Sequence, residues 1–261
     1  MTLTPSIKRE YIINLGRQGK RMDNREFHEF RNIKLETNVV KKAEGSARIH
    51  LGNTQVMVGI KMDVGEPYPD TPDSGVLTTA AELIPMASPD FEAGPPREEA
   101  IELARVVDRG VRESEVVDVE KLCIEPGEKV WILFIDIHIL DYDGNLFDAA
   151  SLATLAALYS TTVPAERFEL GDDYPLPLRE PPISCTSIKM DDIIIFDPSL
   201  DEELIADARL TVATDVNGDI RAMQKGLNGS YSKEEIQKII KASVDNGRHL
   251  RELLKQTIGG K

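Results

Sequence analysis

Cysteine is almost missing from this chain: Cys123 and Cys185 are the only two among 261 residues. They stand far apart and without the close pairing of a metal knuckle. The sequence therefore offers neither a disulfide framework nor a zinc motif, and reduced structural thiols are expected. Long apolar runs are missing too; none approaches the roughly 20 residues that a helix needs to cross a bilayer. The opening stretch Met1-Thr2-Leu3-Thr4-Pro5-Ser6 lacks the apolar core of a secretory leader. A cytoplasmic protein with no membrane partner is the expectation. Positive charge is in short supply, 31 lysines and arginines against 45 acids, for a formal net charge of −14. That balance argues against a free-standing nucleic-acid binder, whose long-range attraction to phosphates is driven by charge. Any nucleic acid must be met locally, or beside a more basic partner. Nor is there a nucleotide loop, since Gly16-Arg17-Gln18-Gly19-Lys20 lacks Walker spacing.

What remains is ordinary globular composition, 41% hydrophobic and 29% charged, enough for one large core or two smaller ones in tight contact. A helical pattern opens at Pro5 and runs toward Gly19, followed by the charged connector Arg21-Met22-Asp23-Asn24-Arg25. The stretch 33–64 reads as β meander, its clearest element being the hairpin 47–58 turned at Gly52-Asn53. A Pro- and acid-rich loop, a strand over 76–86 and a second loop ending in Pro95-Pro96 follow. A helix is predicted from Arg97 to Ser114, with Ala100, Leu103, Ala104, Val106, Val107 and Val111 on its apolar face. Next come a strand over 130–140 and a small-residue helix from Ala149. The proline-studded segment 174–182 marks an internal boundary. Beyond it, strands at 183–189, 192–196 and 210–215 and a turn at Asn217-Gly218 precede an amphipathic helix over 233–255. Strands followed by helices, twice, predict an α+β protein of two related units packed together. The segments are 1–30 (helix and connector), 31–173 and 183–261.

The most informative stretch is Asp141-Tyr142-Asp143-Gly144-Asn145-Leu146-Phe147-Asp148. A turn that hands a strand over to a helix presents unpaired N–H groups and the positive end of the helix dipole, which suits a phosphate. The turn Gly144, Asn145, Leu146, Phe147 supplies no cation and no hydroxyl, and Asp148 adds an anion. It reads as a phosphate loop that has lost its chemistry. The same stretch is no calcium loop either, because its glycine falls too early and the closing glutamate is missing.

Three further groupings of polar residues carry possible chemistry. Arg105, Arg109 and Arg112 follow i, i+4, i+7 spacing and share a helical sector of roughly 60°. Such a row of guanidiniums could grip a phosphate backbone, or be a solvated face tied by Glu102–Arg105 and Asp108–Arg112 pairs. Asp197 and Glu203 could hold a metal or supply a general acid, or be the acidic start of a helix with Asp197 as its cap; the spacing favours the cap. Asp136 and His138 lie on one face of a strand without a nucleophile to serve, so they read as its polar side.

Arg21-Met22-Asp23-Asn24-Arg25 with Glu29-Phe30-Arg31, then Gly45-Ser46-Ala47 with Gly52-Asn53-Thr54, then Asp143-Gly144, together resemble the motifs of the RNase PH-like family. The likeness runs from about Ile7 to Leu254. It implies the RNase PH-like fold, two related βαβ-containing halves of the ribosomal protein S5 domain 2-like type in one pseudo-duplicated core. Within the family, Ile101-Glu102-Leu103-Ala104-Arg105-Val106-Val107-Asp108-Arg109-Gly110 and the phrase 139–145 are similar to the non-catalytic subunit of the archaeal exosome. By that resemblance, Leu146 and Phe147 replace the phosphate-holding hydroxyl and arginine of active members, Asp197 matches the first catalytic acid, and Glu203 stands for the second. The implied protein has no cofactor of its own. It pairs with a catalytic RNase PH-like subunit that would hold inorganic phosphate and Mg2+, three heterodimers closing a hexameric ring under RNA-binding caps. Arg105, Arg109 and Arg112 would help bind single-stranded RNA during 3′-to-5′ phosphorolysis. The rival expectations are an active phosphate-dependent exoribonuclease, a small-molecule enzyme on the same type of fold, and a scaffold that never meets RNA.

Overall fold

Residues 4–259 are described in the computed structural model; Met1–Leu3, half of the stretch read for a leader, lie outside them. In chain order the elements are α1 (Thr4–Arg17), β1 (Ile33–Thr37), β2 (Gly45–Leu51), β3 (Thr54–Gly65), β4 (Val76–Leu83), α2 (Glu98–Glu113), β5 (Cys123–Glu125), β6 (Lys129–Asp141) and α3 (Leu146–Tyr159). After these come β7 (Thr162–Val163), β8 (Tyr174–Pro175), β9 (Ile183–Met190), β10 (Ile193–Phe196), α4 (Leu200–Glu203), β11 (Ala208–Thr214), β12 (Ile220–Gly226) and α5 (Lys233–Gly259).

The first sheet runs β1-β2-β3-β6-β4, with β5 beside β6. Its apolar residues alternate along β3 and β6, so Val56, Val58, Ile60, Leu133, Ile135 and Ile137 all point to one buried face. Only β4 and β6 pair parallel, with the chain passing from β4 to β6 through the α2 crossover. The second sheet runs β10-β9-β11-β12, and both flanks of β9 are antiparallel to it. Strands β10 and β11 therefore run the same way on either side of β9, joined through α4, which is a second, split βαβ arrangement. Each unit then ends in a helix, α3 after β6 and α5 after β12.

Helices α2 and α3 lie between the sheets, and α5 covers the far face of the second sheet. That explains the burial pattern. α3 is apolar nearly all round, because it packs on β2 and β3 on one side and β9 on the other. Strands β9 and β11 are buried on both faces and do not alternate. One hydrophobic cluster joins Ile49, Leu133 and Leu155 of the first unit to Val212, Ile239 and Leu254 of the second. The proline segment between the units is pinned rather than free: Pro177 accepts from the Asp118 N–H at 3.0 Å, and the Arg179 N–H donates to Val116 O at 2.7 Å. Among the described residues no helix is long and apolar enough to cross a membrane.

Candidate functional site

Helix α3 starts three residues earlier than its small-residue pattern suggests. Asn145, at φ +55°, is its N-cap, and the side-chain oxygen accepts from the Asp148 N–H. Leu146 and Phe147 consequently form the first helical turn instead of a loop, and both are buried. Gly144 precedes them at φ +87°, and a Cβ there would stand 2.5 Å from Pro198 O. Only glycine lets the turn approach the 197–200 segment this closely. The hairpin turn braces it from the other side, with Thr54 Oγ1 donating to Gly144 O at 2.7 Å and Asn53 Nδ2 to the Asp143 carboxylate at 3.0 Å.

The space at this helix start is filled by the chain's own acids. Asp197, fully buried and at φ +45°, accepts from Arg25 Nη1 (2.9 Å), the Arg31 N–H (2.7 Å), Arg31 Nε (2.9 Å), Arg31 Nη2 (2.7 Å) and Asn145 Nδ2 (2.8 Å). Burial alone would raise this carboxyl; the Arg31 guanidinium and the other donors hold it below the ordinary range. Arg31 also donates to Asp143 O and Gly144 O, which locks the turn to the connector. Arg21 does the same one layer away, with its guanidinium on Glu202 at 2.9 and 2.6 Å and on the carbonyls of Phe196 and Asp197. Glu203 Oε2 accepts from the Asn145 N–H and from Tyr142 Oη, each at 3.1 Å, and burial raises its carboxyl above the usual value. Asp148 is buried with no cation beside it among the described residues. It accepts from Asn145 Nδ2, the Thr186 N–H and Thr186 Oγ1, and burial pushes its pKa up to about 7.

These residues do not fit a phosphate. A second anion at the helix start would meet three carboxylates, one of them already holding the Asn145 N–H. They do not fit a magnesium ion either, since the Asp197 oxygens are taken by arginine and asparagine donors. The helix that follows Asp197 is capped by Ser199, whose hydroxyl and N–H form a reciprocal box with Glu202. Asp197 is thus neither the expected cap nor an available acid but the centre of a buried ion cluster. Arg25 and Arg31 were visible in the sequence only as parts of a motif. Their role depends on contacts across more than 160 positions, and no local pattern carries it.

The arginines of α2 separate into two kinds. Arg105 and Arg109 are exposed and line a groove of about 340 Å³ with Glu98, Ile101, Glu102 and Gln224. Arg109 Nη1 donates to Gln224 Oε1 at 3.2 Å. Arg112 turns away: it makes the expected i, i+4 pair with Asp108 and donates to Leu77 O. The expected Glu102–Arg105 pair does not form; Glu102 is bound by Arg209 of β11. Arg209 sits in a strand with nothing local in the sequence to mark it. Its guanidinium lies 4.1 Å over the Phe147 ring. Asp136 and His138 lie on the outer face of β6, with His138 3.3 Å from Glu82 of β4, as the polar side of a half-buried strand. Cys185 is buried against Ser243 O and Cys123 is half-buried; both are free thiols.

A fold of two such units, with an arginine-bearing crossover helix and a glycine turn closed at a helix start, defines a recognisable class. The model of the 3′ exoribonuclease family matches its domain 1 on residues 29–164 and its domain 2 on residues 180–246. The chain belongs to this family and has the RNase PH-like fold. The chain is 56% identical to the exosome complex component Rrp42 of Methanocella arvoryzae over 95% of both chains, and 54% identical to that of Archaeoglobus fulgidus over 96% of both. Among solved structures it resembles a chain of the Archaeoglobus fulgidus exosome with RNA bound to the active site, at TM-score 0.95 and 52% identity, covering 97% of this chain and 100% of that one. A chain of an archaeal exosome core follows, at TM-score 0.90 and 50% identity over 96% and 97%.

Proposed function

We propose that this chain is the non-catalytic RNase PH-like subunit of an archaeal exosome, building the active site of a catalytic partner without performing the reaction. The observation that carries this reading is the filled helix start. Where an active member would hold phosphate, this chain places Leu146 and Phe147 in a buried helical turn and locks Asp197 among five donors. The partner then supplies the phosphate and Mg2+ sites. The likeness to Rrp42 components supports a hexameric ring of three heterodimers in the cytoplasm, with caps that feed single-stranded RNA inward. Arg105 and Arg109 are this chain's RNA contacts, exposed in a groove on an otherwise acidic molecule. Arg112 stands apart from them, its guanidinium paired with Asp108 outside the groove.

Phosphate-dependent shortening of a single-stranded oligoribonucleotide by the isolated chain, with magnesium present, tests the reading. No nucleoside diphosphate is expected, while the chain assembled with a catalytic partner releases it. Robust release by the isolated chain, abolished by Asp197→Asn, would make this chain the enzyme.

A further inference from the structure

At the contact spacings of a helix, three and four residues either way, Arg105 has only two acids within reach: Glu102 before it and Asp108 after it. On an isolated helix both would draw it in. In the folded chain neither does. Asp108 is occupied by Arg112, with Nη2 on one oxygen at 2.9 Å and Nε on the other at 3.0 Å, and it also accepts from Thr79 Oγ1. Glu102 is occupied by Arg209. Arg105 is left with no ion pair and no side-chain hydrogen bond among the described residues, and the partner of Arg109 is a neutral amide. Glu98 and Glu102 line the same groove; the Glu102 carboxylate is engaged by Arg209, and Glu98 stands two turns before Arg105, about 10 Å along the axis. Glu113, four residues past Arg109, makes no pair with it among the described residues.

The placement of Arg209 is built in. It is only 9% exposed, with the Phe147 ring under its guanidinium. Gly226 of β12 clears its path; a Cβ there would come within 2.6 Å of Nη2. The phenylalanine that makes the turn unfit for phosphate is therefore the shelf from which Arg209 reaches α2.

We propose that Arg209 and Arg112 are positioning residues: by holding Glu102 and Asp108 they leave Arg105 and Arg109 as uncompensated cations for RNA. The proposal rests on the reading that this groove meets RNA. It assigns the degenerate turn a present role, through Phe147, in presenting those cations.

The test is fluorescence anisotropy of a labelled single-stranded oligoribonucleotide, titrated at low salt with the chain assembled with its catalytic partner. Arg209→Gln and Arg112→Gln should each weaken binding roughly 3- to 10-fold and flatten its salt dependence, because a freed acid pairs with Arg105 and faces the phosphates. Adding Glu102→Gln to the first variant, or Asp108→Asn to the second, should restore affinity to within about 2-fold by removing that acid. A packing defect would not be rescued this way. Wild-type affinity in Arg209→Gln, or a double variant as weak as the single, overturns the proposal. Wild-type affinity in Arg105→Ala/Arg109→Ala instead overturns the RNA reading beneath it.

Discussion

Asp197 and Asp148 stand on either side of Asn145, which donates to both through Nδ2, yet their energetics are opposite. Asp197 is compensated by Arg25 and Arg31, so removing its charge leaves the nearly buried Arg31 guanidinium with only Asp143, 4.0 Å away, and Arg25 with only the exposed Asp23. Asp197→Asn should cost about 3–5 kcal/mol, read as a loss of unfolding free energy in urea; a loss below about 1 kcal/mol would mean that the cluster relaxes around water. The depressed Asp197 carboxyl contributes stability that is present above its unfolded value near 4 and lost only as pH falls below that. Asp148 works the other way. Its carboxyl binds a proton more tightly folded than unfolded, with a pKa raised from 3.8 to about 7. Stability should therefore fall as pH rises from about 4 to about 7, by no more than about 4 kcal/mol, and Glu203 adds to the same trend. Denaturant titrations at pH 5 and pH 8 should show the wild type weaker at the higher pH and Asp148→Asn with a shallower fall, the remainder coming from Glu203. An equal slope in the two proteins would remove Asp148 as the cause.

At the scale of elements, the start of α3 decides whether the chemistry is restorable. Replacing Leu146 by Ser and Phe147 by Arg returns the side chains an active family member is expected to carry. It leaves Asp197, Glu203 and Asp148 crowding the helix start and removes the ring beneath Arg209. The double variant should lose about 3–5 kcal/mol of stability through its buried Phe and Leu and show no phosphate-dependent nucleotide release. Release above the wild-type background would show that two side chains alone separate this turn from a working one. The elements themselves were legible where a short-range rule specifies them. The period of α2, the Gly52 and Asn217-Gly218 hairpins and the alternation of β6 all fall close to their expected places. The start of α3 was not legible, because Leu146, Phe147 and Asp148 join the helix through an N-cap in left-handed conformation braced by Asp197 and Glu203. The parting of Arg112 from Arg105 and Arg109 was half legible: spacing gave the Asp108 pair, but Arg209's capture of Glu102 crosses 107 positions.

At the scale of the whole molecule, the net charge of −14 sets how RNA can be held. A generally basic surface would bind through many diffuse contacts and respond steeply to salt. An acidic body with two exposed arginines in one groove binds through few, and its share of the salt response is small and countable. For single-stranded RNA each neutralised phosphate contributes about 0.7 to the slope of log affinity against log salt. Removing both Arg105 and Arg109 in the assembled ring should therefore weaken binding and reduce the magnitude of that slope by about 1.4, while Arg48→Ala, an arginine of β2 paired with Glu36, leaves it unchanged. Affinity measured from low to moderate salt separates the possibilities. A parallel loss at every salt concentration would mean that the arginines shape the groove without meeting phosphate. An unchanged affinity would make the acidic surface the whole of this chain's relation to RNA, and the chain a scaffold.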